Sequence, residues 1–232
     1  MKIPTVGLST TRSKLCLLLL AGCGLPAQAA AQCAEPSVEQ RAMADEINLA
    51  RTQPAIYADI IARHFTGMRE DGLYQEPTGR WVKTREGQAA VDEAVAYLRA
   101  AAPMPALPLH ACLSQAADDH IADAVRSRRG GHIGSDGSRP SERASRRVGV
   151  RVHCGENISY GRRTAQEHMI ALIVDDGVAS RGHRDNLFAP RYRSLGVGVG
   201  ERTSQGYMTV HMLCMETLPD HDSAHEAGPS AS

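Results

Sequence analysis

Four ionisable residues are the candidates for chemistry in this sequence. His132, Glu156 and His183 each follow a glycine, and Asp175 lies at the end of a predicted helix. Glycine beside a polar residue lets the backbone approach closely and favours a turn or the rim of a cleft. Two imidazoles and two carboxylates are sufficient to bind a divalent ion or to perform acid–base chemistry.

The spacing of these four residues does not by itself bring them together. They are separated by 24, 19 and 8 residues along the chain. A single histidine is more often a hydrogen-bonded structural residue than a ligand, and the 155–157 tripeptide can equally serve to fix the start of a strand. A shared site therefore depends on the fold.

Several familiar catalytic and binding motifs are absent from the sequence. It contains no GxSxG elbow, HExxH helix, phosphate-binding loop or EF-hand loop. The glycine-spaced segment 196–200 lacks the spacing and the following helix of a dinucleotide fingerprint. These observations leave metal binding or acid–base chemistry as the open routes.

The hydrophobic periodicity predicts helices first and strands last. We predict helices at residues 38–51, 55–64, 88–101, 111–127 and 165–175, and strands at residues 154–160, 194–200 and 206–215. Residues 65–87 contain many glycines and are predicted to form a surface excursion, and residues 129–151 a loop with at most one short helix. This order favours an α+β domain with helices packed on a mostly antiparallel sheet.

Composition restricts the partners. The chain has 232 residues and a formal net charge of zero, so it has no strong basic field to hold nucleic acid or an anionic membrane. Aromatic residues are 4% of the total, which does not favour base stacking. We therefore expect no nucleic-acid partner. We also expect the protein to be a monomer.

The N-terminus has the pattern of an export signal at residues 1–29. Three basic residues and no acid precede a short apolar run that begins at Leu15, and the small-x-small site 27–29 follows. The sequence around Cys23 also resembles a bacterial lipobox, so a lipid anchor at Cys23 is the alternative to ordinary cleavage. The predicted location is secreted or periplasmic, or otherwise lipid-anchored to the cell envelope.

Four cysteines remain after either cleavage, which in an exported chain suggests two disulfides. None of the four belongs to a CxxC pair, and three pairings are open. Of these we favour Cys33 with Cys112, and Cys154 with Cys214. The first pair would tie the N-terminus of the domain to a core helix.

Three segments combine glycines with the candidate residues: Gly131-His132, Gly155-Glu156-Asn157-Ile158 and Gly182-His183-Arg184-Asp185-Asn186-Leu187. They resemble the signature segments of the CAP superfamily, which holds cysteine-rich secretory proteins, antigen five and plant pathogenesis-related proteins. The resemblance is to the bacterial SCP-like extracellular branch and covers about residues 40–217, in the right order. It implies a three-layer α/β/α sandwich with a mostly antiparallel central sheet.

The resemblance also implies domain boundaries and a site. The CAP domain is predicted at residues 33–218, with an insertion at 67–105 and a disordered tail at 219–232. His132 and His183 correspond to the metal-binding histidines of the family cleft, and Glu156 and Asp175 to its two acids. The family commonly has glutamate after an aromatic residue where this chain has Asp175, so Asp176 competes for that role.

Three functions follow as hypotheses. The first is a binding module in which a divalent ion, zinc by its ligand chemistry, orders the cleft for an extracellular or cell-envelope peptide, glycan or lipid. The second is a metal-assisted hydrolase, protease-like or acting on the cell wall, with Glu156 as general base. The third is a lipid or sterol carrier. The residues favour binding over catalysis because no nucleophile with an adjacent base is evident.

Overall fold

The computed structural model of the protein describes Met1 and residues 33–76, 79–202 and 206–219. Apart from Met1, the predicted export signal at 1–29 and the lipidation candidate Cys23 lie outside the described residues. The same is true of the predicted tail after residue 219.

The described residues form seven helices and five strands. The helices are α1 (Val38–Thr52), α2 (Pro54–His64), α3 (Gln88–Ala100), α4 (Ala111–Ser127), α5 (Pro140–Val148), α6 (Ala165–Val174) and α7 (Gly182–Leu187). The strands are β1 (Leu73–Gln75), β2 (Trp81–Lys83), β3 (Cys154–Arg162), β4 (Ser194–Arg202) and β5 (Gly206–Cys214). Across this part of the chain, no helix is long and apolar enough to cross a membrane.

A three-stranded antiparallel sheet lies at the centre of the fold. Its strand order is β3-β5-β4, so β3 and β4 are the edge strands. Strand β5 pairs with β3 from Cys154 opposite Cys214, and with β4 from Ser194 opposite the same Cys214. Strands β1 and β2 form a separate antiparallel hairpin.

Helices cover both faces of the central sheet. One face packs against α4 and α5 through a buried cluster that includes Leu113, Ala144, Ile158, Val210 and Met212. The other face packs against α1 and α6, with α2 and α3 contributing to the same core; its buried members include Ile47, Ile61, Leu98, Ile173, Val197 and Leu213. The expected three-layer α/β/α sandwich with an antiparallel sheet is confirmed.

Two segments outside the long predicted elements contain regular structure, and the second contains the one short helix that the sequence allows. Residues 65–87 contain the β1–β2 hairpin, whose Tyr74 is buried against the core. Residues 129–151 contain α5, which begins at Pro140, a residue with the fixed φ that suits the first helical position. Each hairpin strand has three residues, too few for an alternating pattern to be recognised.

Both favoured disulfides are confirmed. Cys33 is bonded to Cys112 at the start of α4, and Cys154 to Cys214 across neighbouring strands, with Cα–Cα distances of 5.0 and 4.0 Å. The first disulfide closes a loop from residue 33 to residue 112, and the second closes one from residue 154 to residue 214. In the chain-entropy account of disulfide stabilisation, closing a loop of such length contributes roughly 4 kcal/mol. The second disulfide lies two residues before Glu156 and holds that end of β3 in register.

Candidate functional site

The first candidate pair is His132 with Glu156. His132 lies in the loop between α4 and α5, and its ring Nδ1 lies 2.9 Å from Oε1 of Glu156 on β3. The Glu156 side chain is 1% exposed, whereas the His132 side chain is 48% exposed. The carboxylate accepts the Nδ1 proton, so Nε2 is the ring nitrogen left for a ligand.

Two residues that the sequence analysis did not assign to the site surround Glu156. Arg143 donates from Nη2 to Glu156 Oε2 at 2.6 Å, and from Nη1 to the carbonyl oxygens of His132 and Ser138. His120 Nε2 lies 4.0 Å from Glu156 Oε1. A buried carboxylate requires such compensation because burial without partners penalises its charge.

Arg143 lies in the segment 129–151, for which the sequence predicts a loop with at most one short helix. The residue lies on α5 and its side chain is 5% exposed. The available signal was the start of α5, where Pro140 at the first position is followed by Glu142, whose carboxylate accepts from the Arg139 backbone at 2.7 Å. That start places Arg143 beside Ala144 on the buried face of the helix.

The second candidate pair is His183 with Asp175. His183 Nδ1 donates to Asp175 Oδ1 at 2.6 Å, and the His183 backbone N–H donates to Oδ2 of the same carboxylate at 2.9 Å. Asp175 is the C-cap of α6 in the left-handed conformation, with φ of 53°. Its side chain is 3% exposed and that of His183 is 28% exposed. The Asp175 carboxylate thus accepts hydrogen bonds from both the ring and the backbone of His183.

Asp176 has a different role. Its two carboxylate oxygens accept from the backbone N–H groups of Arg85 and Glu86 at 2.7 and 2.8 Å. Of the two adjacent aspartates, the structure thus pairs Asp175 with His183 and joins Asp176 to the segment before α3.

Edge strand β3 connects the two pairs. Successive side chains of a strand point to opposite faces, so Glu156 faces α4 and α5 while Asn157 faces α7. Asn157 Nδ2 donates to the carbonyl oxygen of His183 at 2.9 Å, and Asn186 Nδ2 donates to Asn157 Oδ1 at 3.0 Å. Within the described ranges, no hydrogen bond or ion pair runs directly from one His–acid pair to the other. Asn157 provides the link between them.

The tripeptide at 155–157 also has a packing requirement. A Cβ on Gly155 would lie 2.2 Å from the hydroxyl oxygen of Tyr192 and 2.6 Å from Oδ1 of Asn186. Tyr192 donates that hydroxyl proton to Asn186 Oδ1 at 2.5 Å. Glycine is therefore needed where the second histidine segment packs on β3.

A cavity of about 460 Å³ adjoins the second pair. Its lining includes Tyr74 and Val82 from the hairpin, Tyr160 from β3, and both Asp175 and His183. His132 and Glu156 are not among its lining residues. The volume lies within the range of small-ligand sites.

The two candidate histidines share a hydrogen-bond pattern that is common among metal ligands. Metal-ligating histidines generally donate their second ring N–H to a carboxylate, and both His132 and His183 do so here. Among the residues that the structure describes, no group of three or more His, Cys, Asp or Glu side chains is arranged to hold a metal. A metal at this site would draw its remaining ligands from water or from a bound molecule.

Comparison with known protein families identifies a family for this chain. The sequence matches the model of the cysteine-rich secretory protein family (CAP) over residues 93–215, more than half of the chain. This range contains all four candidate residues. A comparison with curated proteins found no match.

Solved structures of two bacterial proteins resemble this chain. One is an extracellular protein containing an SCP domain from Bacillus anthracis str. Ames, with 21% identity, a TM-score of 0.40, and coverage of 54% of this chain and 39% of that one. The other is an outer surface protein from Borrelia burgdorferi, with 13% identity, a TM-score of 0.40, and coverage of 49% and 80%. This chain thus spans about two fifths of the length of the first.

Proposed function

We propose, from the premise that this chain belongs to the cysteine-rich secretory protein (CAP) family, that it is a divalent-metal-dependent binding module for an extracellular ligand. The observation that carries the proposal is that His132 and His183 have the same hydrogen-bond arrangement. Each Nδ1 donates to a carboxylate that is 3% exposed or less, while each ring remains partly exposed. This leaves two pre-oriented Nε2 atoms as donors.

Zinc is the metal that this donor set suits best. Neutral imidazole nitrogens are common zinc ligands, and a hydrogen-bonded carboxylate behind each ring fixes its tautomer and raises its basicity. His132 and His183 would hold the ion through Nε2, and Glu156 and Asp175 would orient the rings. The bound ion would supply positive charge for an oxygen atom of the ligand.

The cavity beside His183 supports a polar ligand. Its lining carries seven charged side chains, namely Glu76, Lys83, Arg85, Arg162, Glu167, Asp175 and Asp176. Charged walls are costly to desolvate against a hydrocarbon chain. A peptide or a glycan therefore suits the cavity better than a lipid or sterol does.

The contacts of Glu156 support binding rather than hydrolysis. One oxygen accepts from His132 and the other from Arg143, and the side chain is 1% exposed. A general base must reach the proton that it removes, directly or through one water. Because both oxygens are hydrogen-bonded and the side chain is buried, Glu156 is poorly placed for that role.

The proposed place of action is outside the cytoplasm. The export pattern at residues 1–29 and the two disulfides favour a secreted or periplasmic protein. Lipidation at Cys23 would instead anchor it to the cell envelope.

Zinc titration calorimetry tests the metal proposal. Wild-type protein is expected to bind zinc, and His132→Ala and His183→Ala are each expected to weaken that affinity by at least about tenfold, because each removes one of two protein ligands.

His153→Ala provides a matched control for the titration. His153 also directs Nδ1 at a carboxylate, with 2.8 Å to Glu216 Oε1, but it stands alone at the surface. Its substitution should leave zinc affinity unchanged. Equal affinity in all four proteins, or no zinc binding by the wild type, would overturn the proposal.

A further inference from the structure

Two arginines flank His183, of which Arg184 is buried and Arg181 is partly buried. Arg181 precedes α7 and Arg184 lies within it, with side chains 12% and 3% exposed. Helix α7 has only six residues. A helix this short has little stability of its own, so contacts with other elements must hold it in place.

Glu93 on α3 contacts both arginines. Its carboxylate accepts from Arg181 Nη2 at 2.7 Å and from Arg181 Nε at 3.1 and 3.2 Å. Its Oε1 also accepts from Arg184 Nη2. The carboxylate of Glu93, which lies 90 residues before His183 in the chain, thus joins Arg181 to Arg184.

Arg181 extends this network to the residue that grips His183. Its Nη1 donates to the carbonyl oxygen of Asp175 at 2.9 Å and to that of Val178 at 3.3 Å. Glu86 also accepts from Arg181, and this contact, together with the backbone N–H of Gly177, lowers the pKa of Glu86 to about 2. Arg181 therefore couples α3 and its preceding segment to the end of α6.

Arg184 depends on Glu93 more completely. Among the described residues, Glu93 is the only acid that contacts it, and its Nε and Nη1 atoms are buried without a hydrogen-bond partner. The guanidinium lies over the ring of Tyr97, 5.0 Å from its centroid. Removal of the Glu93 charge would leave a buried cation with an aromatic face alone.

We infer that Glu93 is a positioning residue for His183. It fixes the two arginines that bracket this histidine, and so holds the ring against Asp175 with Nε2 directed outward. Any effect of Glu93 on metal affinity rests on the proposed function, whereas the positioning of His183 by Glu93 is a property of the metal-free protein.

The test compares Glu93→Gln with Asp92→Asn in metal-free full-length protein. Asp92 is exposed on the same helix, accepts from Gln88 at 2.9 Å and contacts neither arginine. We expect amide hydrogen exchange in residues 182–188 to become about tenfold faster in Glu93→Gln and to stay unchanged in Asp92→Asn. Exchange in β5 is the internal reference for global destabilisation.

A nuclear magnetic resonance signal reports the ring itself. The proton on His183 Nδ1, shared with Asp175, should broaden or shift in Glu93→Gln, while the corresponding His132 signal stays in place. Unchanged exchange and ring signals, or equal acceleration in β5, would overturn the inference. A wild type that binds no zinc would refute the proposed function alone, because both readouts are taken without metal.

Discussion

Buried carboxylates act on the candidate histidines of this protein as hydrogen-bond acceptors with fixed positions. Asp175 is the clearer case, because it accepts from both the ring and the backbone of His183. Glu156 divides its oxygens between His132 and Arg143. In each case hydrogen bonds from the protein compensate the buried charge, which makes the ring orientation part of the folded structure.

Asp175→Asn should test whether the two acceptor oxygens of Asp175 orient His183. The carboxylate offers two acceptors to two donors, whereas an amide offers one acceptor and one donor, so one His183 contact becomes donor against donor. We expect zinc affinity to fall about 10- to 100-fold. The free energy of unfolding should fall by about 1–3 kcal/mol. Calorimetry and urea denaturation measure the two effects.

Asp176→Asn is the control with the same chemical defect. Asp176 also accepts two backbone N–H groups, but those of Arg85 and Glu86. Its substitution should reduce stability and leave zinc affinity unchanged. Comparable losses of zinc affinity in the two variants would contradict the assignment of Asp175.

At the level of elements, α4 lies unusually close to strand β4. A Cβ on Gly196 would be 2.4 Å from the backbone carbon of Leu113, and one on Gly198 would be 2.8 Å from that of Ala117. The glycine-spaced segment 196–200 thus serves helix packing. This agrees with the absence of a dinucleotide fingerprint inferred from its spacing.

Gly196→Ala should destabilise the α4–β4 contact. The clash is with backbone, which cannot rotate away, so overpacking should cost about 1–3 kcal/mol or more in the free energy of unfolding. Urea denaturation measures the change. Gly182→Ala is the control, since its Cβ would meet nothing nearer than the Ser180 hydroxyl at 3.4 Å. An equal free energy of unfolding in the two variants would contradict this prediction and show that α4 can move away from β4 without destabilising the protein.

Sequence pattern predicted the long elements and missed the short ones. The predicted helix at 111–127 coincides with α4, because prolines precede it and its apolar stripe is long. The β1–β2 hairpin could not be predicted from its three-residue strands. It is held by a local ion pair of Glu76 with Arg80 and by a tertiary ion pair of Glu76 with Arg162 on β3.

The same distinction applies to the site. Residue type and motif resemblance identified His132 and His183, because glycines and polar residues mark these segments locally. Glu93 carries no such mark, and the start of α5 indicates only that Arg143 is buried, not which residue it contacts. Arg143 lies 13 residues from its partner Glu156, and Glu93 lies 91 residues from Arg184. Contacts over such separations arise from the packing of helices, which periodicity does not encode.

At the scale of the whole molecule, two buried histidines link stability to pH. His211 on β5 is fully buried, and His168 on α6 is 2% exposed with Nδ1 2.8 Å from Ser159 Oγ. Burial, together with His168 and His183, lowers the pKa of His211 to about 3. Burial and then Arg162 lower the pKa of His168 to about 4.

These shifts predict that the folded protein loses stability as pH falls below about 6.5, the ordinary histidine pKa. Below that value the histidines of the unfolded chain become protonated while those of the folded protein stay neutral. The contribution of the two histidines to the free energy of unfolding is therefore complete above pH 6.5 and declines toward pH 4. The expected loss is about 1 kcal/mol per pH unit for each histidine. Urea denaturation at pH 7, 6 and 5 measures it, since carboxylates ordinarily titrate mostly below this window. His168→Gln and His211→Gln should each flatten the slope by roughly half, and an unchanged slope in both would show that other groups carry the pH dependence.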